Sequence, residues 1–284
     1  MTNRSRSMEV ESEGAPVNTI QVPGARLCYE ARGSGPLIVL IPGSAGAAEP
    51  FRMVADQLAP RYTVVAYDRR GFSRSELDGP QDWDHRIETD ADDVRRLIEH
   101  LSEQPAIIVG VSSGAIVALE VLVHHPSVVQ MLVPVEPPAV MELADGQSWV
   151  DSFHEVYDVY CQSGIEPAMK RFVERSFAEV DRQVVARAPR NQFSHSNAVY
   201  WFEHELRQYP AIRLDLAGLG TQSDRIIPAA GRESRGYPCH QVTRALAQRL
   251  GRDMVEFPGG HLAFIARPAE FARALESHLA RDEK

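Results

Sequence analysis

The stretch Ile107–Gly114, I-I-V-G-V-S-S-G, decides how the rest of the chain is read. An apolar run, Ala106 to Val111, has the length and branching of a buried strand. It stops at two serines and a glycine, and the next residues, Ser113 to His125, read as a helix halted before Pro126. A chain that reverses so sharply needs small residues where strand and helix approach each other, which Gly110 and Gly114 supply. The bend holds Ser112 in a strained conformation at the top of the sheet and turns the backbone N–H groups of the helix start toward an incoming anion. This is a setting for a nucleophile. A bare G-x-S-x-G is a weak signal; its place between a strand and a helix gives it weight.

The same rhythm extends in both directions. Asn18–Val22 and Ala25–Arg32 read as a hairpin turning at Pro23-Gly24. Leu37–Ile41, Tyr62–Tyr67 and Val128–Val135 are further apolar strands, and Arg225–Ala230 and Asp253–Phe257 follow late in the chain. Helices are expected over Phe51–Leu58, Asp90–Leu101, Val242–Leu250 and Pro268–Ala280, the last with proline at its start. Strands apolar on both faces and separated by helices predict an α/β fold, with a mostly parallel central sheet flanked by helices. Ligands bind such sheets at the carboxyl ends of the strands.

Between residues 137 and 216 the pattern becomes helical and aromatic: Trp149 to Tyr209 holds 11 of the 21 aromatic residues. We expect a helical cap there, inserted after the strand ending at Val135, the sixth in the chain. Residues 17–136 and 217–284 would form the core, and residues 1–16 a polar, disordered tail. Within the cap, Phe153, Val156, Tyr157 and Tyr160 fall on one helical face. The densest cluster, V-Y-W-F at 199–202, makes Tyr200, Trp201 and Phe202 the expected wall of an apolar pocket over Ser112.

Composition narrows the function. The chain has 284 residues, 44% hydrophobic and 24% charged, with a net charge of −9 and scattered basic residues. That argues against nucleic acid or an anionic membrane as partner. No apolar run reaches a membrane span, and the N-terminal residues lack the apolar segment of a signal peptide. Three cysteines without a C-x-x-C suggest a reducing, cytoplasmic setting. No metal-ligand cluster and no dinucleotide G-x-G-x-x-G follows a strand, so neither metal nor other cofactor is expected. The oligomeric state stays open, a homodimer included.

Four segments in order resemble the α/β-hydrolase family: L-I-V-L-I-P-G-S at 37–44, with Pro42 where a histidine is more common; A-Y-D-R-R-G-F-S-R-S at 66–75; G-V-S-S-G at 110–114; and F-P-G-G-H at 257–261. The resemblance covers nearly the whole chain and implies a serine nucleophile, Ser112. The oxyanion donors would be the backbone N–H groups of Ser113 and Ser44. His261 follows the strand V-E-F through P-G-G and precedes the last helix, so it can reach the top of the sheet as general base. Asp68 and Arg70 read as a loop brace in preference to substrate contacts.

The acid is less direct. In most of this family it follows the next-to-last strand, where the count from Gly231 lands on Ser234, which cannot serve. Glu233 is adjacent and stays open. Asp224 precedes the strand and belongs at the opposite end of the sheet. Glu136 directly follows V-V-Q-M-L-V-P-V and precedes Pro137-Pro138, which puts a carboxylate beside the nucleophile strand. A serine pair with a glutamate there resembles the zearalenone-type lactone hydrolases, and Glu136 is preferred. A serine nucleophile sets aside the branches that use a carboxylate. The expected activity is hydrolysis of a small apolar ester or lactone through an acyl-serine. Alternatives are C–C bond hydrolysis, perhydrolysis or cyclisation on the same scaffold, or a non-catalytic ligand-binding member.

Overall fold

The fold is that of a computed structural model, which describes residues 17–282. The tail expected over 1–16 lies outside the described residues. Strands β1 (Val17–Val22), β2 (Ala25–Arg32), β3 (Leu37–Ile41), β4 (Thr63–Tyr67), β5 (Glu76–Leu77), β6 (Ala106–Val111), β7 (Val129–Val135), β8 (Ala229–Gly231) and β9 (Val255–Phe257) form one sheet in the order β1-β2-β4-β3-β6-β7-β8-β9, with β5 on the side of β2. The β1–β2 hairpin is antiparallel, and β2 pairs antiparallel with β4. From β4 through β9 every neighbouring pair is parallel. The mostly parallel sheet expected from the sequence is the observed one.

Helices α1 (Arg52–Leu58), α2 (Arg86–Leu101) and α3 (Ser113–His124) alternate with the first strands. Helices α4 (Gly146–Ser163), α5 (Ile165–Ser176), α6 (Glu179–Arg187) and α7 (Ser194–His204) lie between β7 and β8. Helices α8 (Leu216–Gly220), α9 (Pro238–Leu250), α10 (Ala263–Ala266) and α11 (Pro268–Asp282) complete the chain.

The two-residue period of the central strands explains why both faces are covered. In β3, Leu37, Val39 and Ile41 join one apolar cluster, while Ile38 and Leu40 join the other. The first cluster takes Ile87, Val94 and Ile98 of α2, Ile116 and Leu119 of α3, and Val242 and Leu246 of α9. The second takes Val54 and Leu58 of α1 and Phe271 and Leu275 of α11.

Three departures have local causes. The strand expected from Arg225 pairs as a ladder only from Ala229, because Pro228 has no N–H to donate; Ile226 still bridges Leu132. Strand β5 is too short to show a period. Helix α2 starts at Arg86 rather than Asp90, since its first turn is polar yet buries Arg86 among charged partners. Among the described residues, no helix is long and apolar enough to cross a membrane.

Candidate active site

Ser112 sits between β6 and α3 with φ 56° and ψ −124°. A side chain strains this left-handed backbone, and the surrounding structure must hold it. Its N–H donates to the Val135 carbonyl at 2.9 Å, and its carbonyl accepts from the Ala115 N–H at 2.8 Å. The bend brings α3 against β3: a Cβ on Gly114 would stand 2.3 Å from the Ile41 oxygen. Ser113 opens α3, so its N–H has no acceptor in its own helix.

In the β6–β7 register Val111 faces Val135, so the next residues, Ser112 and Glu136, leave the sheet side by side. Glu136 is also left-handed, with φ 50°. Among the described residues Ser73 is the one other non-glycine with positive φ.

His261 follows β9 through Pro258, Gly259 and Gly260. Its Nδ1 lies 2.6 Å from Glu136 Oε2, and both side chains are buried. If Nδ1 carries the proton that this carboxylate accepts, Nε2 is left with a lone pair. The other carboxylate oxygen, Oε1, accepts from the Gly231 N–H at 2.8 Å and from the Ser234 hydroxyl. Burial alone would raise the Glu136 carboxyl. The bonds from His261, Ser234 and Gly231 outweigh it and hold the group below its ordinary value. Burial alone would lower His261, but Glu136 and, to a lesser degree, Asp181 raise it.

The other two carboxylates considered for this position lie elsewhere. Asp224 is exposed, in the turn before β8. Glu233 is half-exposed and pairs with Arg267 at 3.0 Å.

The loop after β3 turns at Gly43–Gly46, closed by a bond from the Gly46 N–H to the Gly43 carbonyl at 2.9 Å. Ser44 occupies the second position of this turn, where the N–H is not consumed by the turn itself. Gly43 permits the approach: a Cβ there would lie 2.9 Å from the Ser112 Cβ. Behind the loop, buried Arg69 donates to the Gly43 carbonyl at 3.0 Å and to both oxygens of Glu205 at 3.0 and 2.6 Å. Asp68 accepts from the Ala48 N–H and pairs with Arg74, and Arg70 grips Asp93 through two bonds. These two braces support the loops and do not line the pocket.

Ser44, Ser112 and Ser113 line one pocket with about 420 Å³ of atom-free space, part of it open to solvent. Its apolar walls include Phe153, Phe172, Phe177 and Trp201, contributed by α4, α5 and α7 and the segment joining α5 to α6.

The expected aromatic wall therefore needs correction. Trp201 lines the pocket, but Tyr200 and Phe202 do not. The Tyr200 hydroxyl takes a bond from Arg86 at 2.6 Å, and its ring meets Phe72 edge-on. Phe202 is fully buried and stacks on Tyr160 at 4.5 Å. Successive residues on a helix point about 100° apart, so three in a row cannot share one wall.

Sequence reasoning missed the supporting residues. Ser234 stands at the position that lacks a carboxylate, and its hydroxyl donates to the carboxylate that directly follows β7. Phe177 stacks on the His261 ring with centroids 4.9 Å apart. Asp181 and Glu205 are buried carboxylates from the inserted helices and their C-terminal flank, and no local motif marks them. Among the described residues no three His, Cys, Asp or Glu side chains gather as a metal site.

A family model described as the alpha/beta hydrolase fold matches residues 36–268. The uncharacterized hydrolase YraK of Bacillus subtilis (strain 168) is 36% identical over 272 residues, which is 94% of this chain and 97% of the relative. Among solved structures, the enol-lactonase from Burkholderia xenovorans LB400 aligns with a TM-score of 0.70 at 20% identity, over 93% of this chain and 100% of that one. A thermophilic esterase from Thermogutta terrifontis aligns with a TM-score of 0.72 at 19% identity, over 95% and 100%. At these identities the two solved structures share the fold.

Proposed function

The chain belongs to the alpha/beta hydrolase fold family, and from that premise we propose that it is a serine hydrolase cleaving a carboxylic ester or lactone of an apolar acyl group. The observation that carries this reading is the placement of a strained Ser112 in an apolar pocket, next in register to a Glu136 that holds His261 by Nδ1.

In the proposed reaction the Ser112 Oγ attacks the ester carbonyl while His261 Nε2 takes its proton. Glu136 fixes the tautomer and steadies the imidazolium. The N–H groups of Ser113 and Ser44 receive the negative charge that forms on the carbonyl oxygen. His261 then gives its proton to the departing alcohol, leaving an acyl-serine, and activates the water that hydrolyses it. No cofactor enters this scheme. Cys28, Cys161 and Cys239 are free, which fits a cytoplasmic setting.

The test is covalent. A fluorophosphonate probe and a slowly deacylating nitrophenyl ester should each add one equivalent of mass, mapped to the peptide holding Ser112. Stoichiometric release of nitrophenol should accompany acylation by the ester. An unlabelled Ser112 in a protein that still turns over the ester would overturn the reading.

The pocket walls make a second prediction. Trp201→Ala removes the inserted helices' largest side chain from the pocket. The ratio of kcat/KM for aromatic over acetyl esters should fall by about tenfold, the loss of a few buried methylene equivalents. An unchanged ratio across a nitrophenyl ester series would remove Trp201 from the acyl site.

A further inference from the structure

We propose that Asp181, a buried residue of α6, is a positioning residue for His261, fixing the backbone of the histidine loop from the inserted helices and lending its charge to the imidazole. The inference rests on the reading of His261 as the base. Asp181 accepts from the His261 N–H at 3.1 Å through Oδ2 and from the Leu262 N–H at 2.8 Å through Oδ1. The two residues are 80 apart in the chain. Both oxygens are thus committed to the two peptide groups that set where the imidazole is anchored.

The charge itself needs a reason. Asp181 is 1% exposed, and among the described residues no arginine, lysine or histidine side chain forms an ion pair with it. A buried carboxylate held by two peptide N–H groups alone is costly, and a neutral acceptor would satisfy one of those groups more cheaply. Burial and, to a lesser degree, the charge of Glu136 raise the Asp181 carboxyl above its ordinary value, and the two N–H bonds and the charge of His261 offset part of that rise. What the anion supplies is a second negative charge beside His261, acting in the same sense as Glu136.

The ionisable groups around this site come from several elements. Glu136 stands at the end of β7 and Asp181 on α6. The Cys239 thiol at the start of α9 is raised by burial and by both carboxylates. Next to it, His240 is directed toward Glu256 of β9 at 3.7 Å. Beyond α10, Arg267 and Glu233 pair with each other.

Two further residues, Phe177 and Asn197, carry the idea across the inserted helices. Phe177, four residues before Asp181, covers one face of the His261 ring. From α7, Asn197 donates to the Ala45 carbonyl at 3.1 Å, next to Ser44. It also accepts from the N–H of left-handed Ser73 at 2.8 Å. The insertion thus grips the oxyanion loop through one polar residue and the histidine loop through another.

The experiment compares Asp181→Asn and Asp181→Ala with wild type in the full chain. One readout is the pH titration of the His261 ring by NMR, assigned with His261→Gln. The other is the pH profile of kcat/KM on a nitrophenyl ester. Loss of the Asp181 charge should move the His261 titration to lower pH, and the acidic limb of the profile should move with it. kcat should fall by up to about a hundredfold, with KM changed less than about threefold. Asn197→Ala should lower kcat and leave the His261 titration in place. A His261 titration that coincides with wild type in both Asp181 variants overturns the proposal. Asp181→Asn is isosteric and supplies that answer if the alanine variant does not fold. The NMR titration is independent of turnover, so a wild-type protein without Ser112-dependent activity would defeat the hydrolase reading and still decide this one.

Discussion

Ser112→Ala is expected to lower kcat for a nitrophenyl ester by about six powers of ten, the scale seen when a nucleophile working as a unit with its base is removed. The reason lies in the backbone as much as in the hydroxyl. The chain accepts φ 56° at a non-glycine residue, which costs roughly 1–2 kcal/mol, and the bend places that side chain in the pocket. Alanine keeps the strain and loses the hydroxyl, so its melting temperature should stay near that of wild type. Ser112→Gly should lose the same activity yet be more stable than the alanine variant by roughly 1 kcal/mol, since glycine takes this conformation freely. Thermal melts paired with turnover separate the two effects. An alanine variant within about tenfold of wild type would remove Ser112 from the chemistry; a glycine variant no more stable than alanine would remove the strain.

The candidate site is legible in the sequence to a definite depth. Ser112 and His261 are marked locally, each by glycines beside a strand end, and the carboxyl ends of parallel strands lie along one edge of the sheet. Glu136 is readable for the same reason, because a residue directly after an apolar run must stand at the carboxyl edge. The pocket walls are not readable this way. Tyr200, Trp201 and Phe202 are consecutive in the chain, and only the packing of α7 decides that Trp201 turns toward Ser112 while Phe202 turns to Tyr160. Asp181 and Glu205 are harder still. Each is an ordinary acidic residue whose partners, the peptide groups at 261 and 262 and the guanidinium of Arg69, lie 80 and 136 residues away. No local period or spacing carries such information.

The position of the acid can be tested by the tautomer it enforces. Glu136→Gln should lower kcat by about 10⁴-fold, and the geometry says why the loss should be so large for one oxygen. The Gly231 N–H points at Oε1 and cannot turn away. A glutamine must therefore keep its carbonyl on that side and present its NH₂ group to His261 Nδ1. The imidazole then has to accept at Nδ1 and carry its proton on Nε2, the nitrogen that must be free to take the Ser112 proton. Glu136 raises His261 above its ordinary 6.5. In the variant that support is gone, so the acidic limb of the residual kcat/KM profile should move to lower pH. Asp224→Asn, an exposed site before β8, should stay within about twofold of wild type. If the hydroxyl and its base act together as proposed, adding Glu136→Gln to Ser112→Ala should cost little more than Ser112→Ala alone. If the second change instead multiplied the loss in full, Glu136 would be acting on something other than the Ser112–His261 pair, and the carboxylate would need a different role.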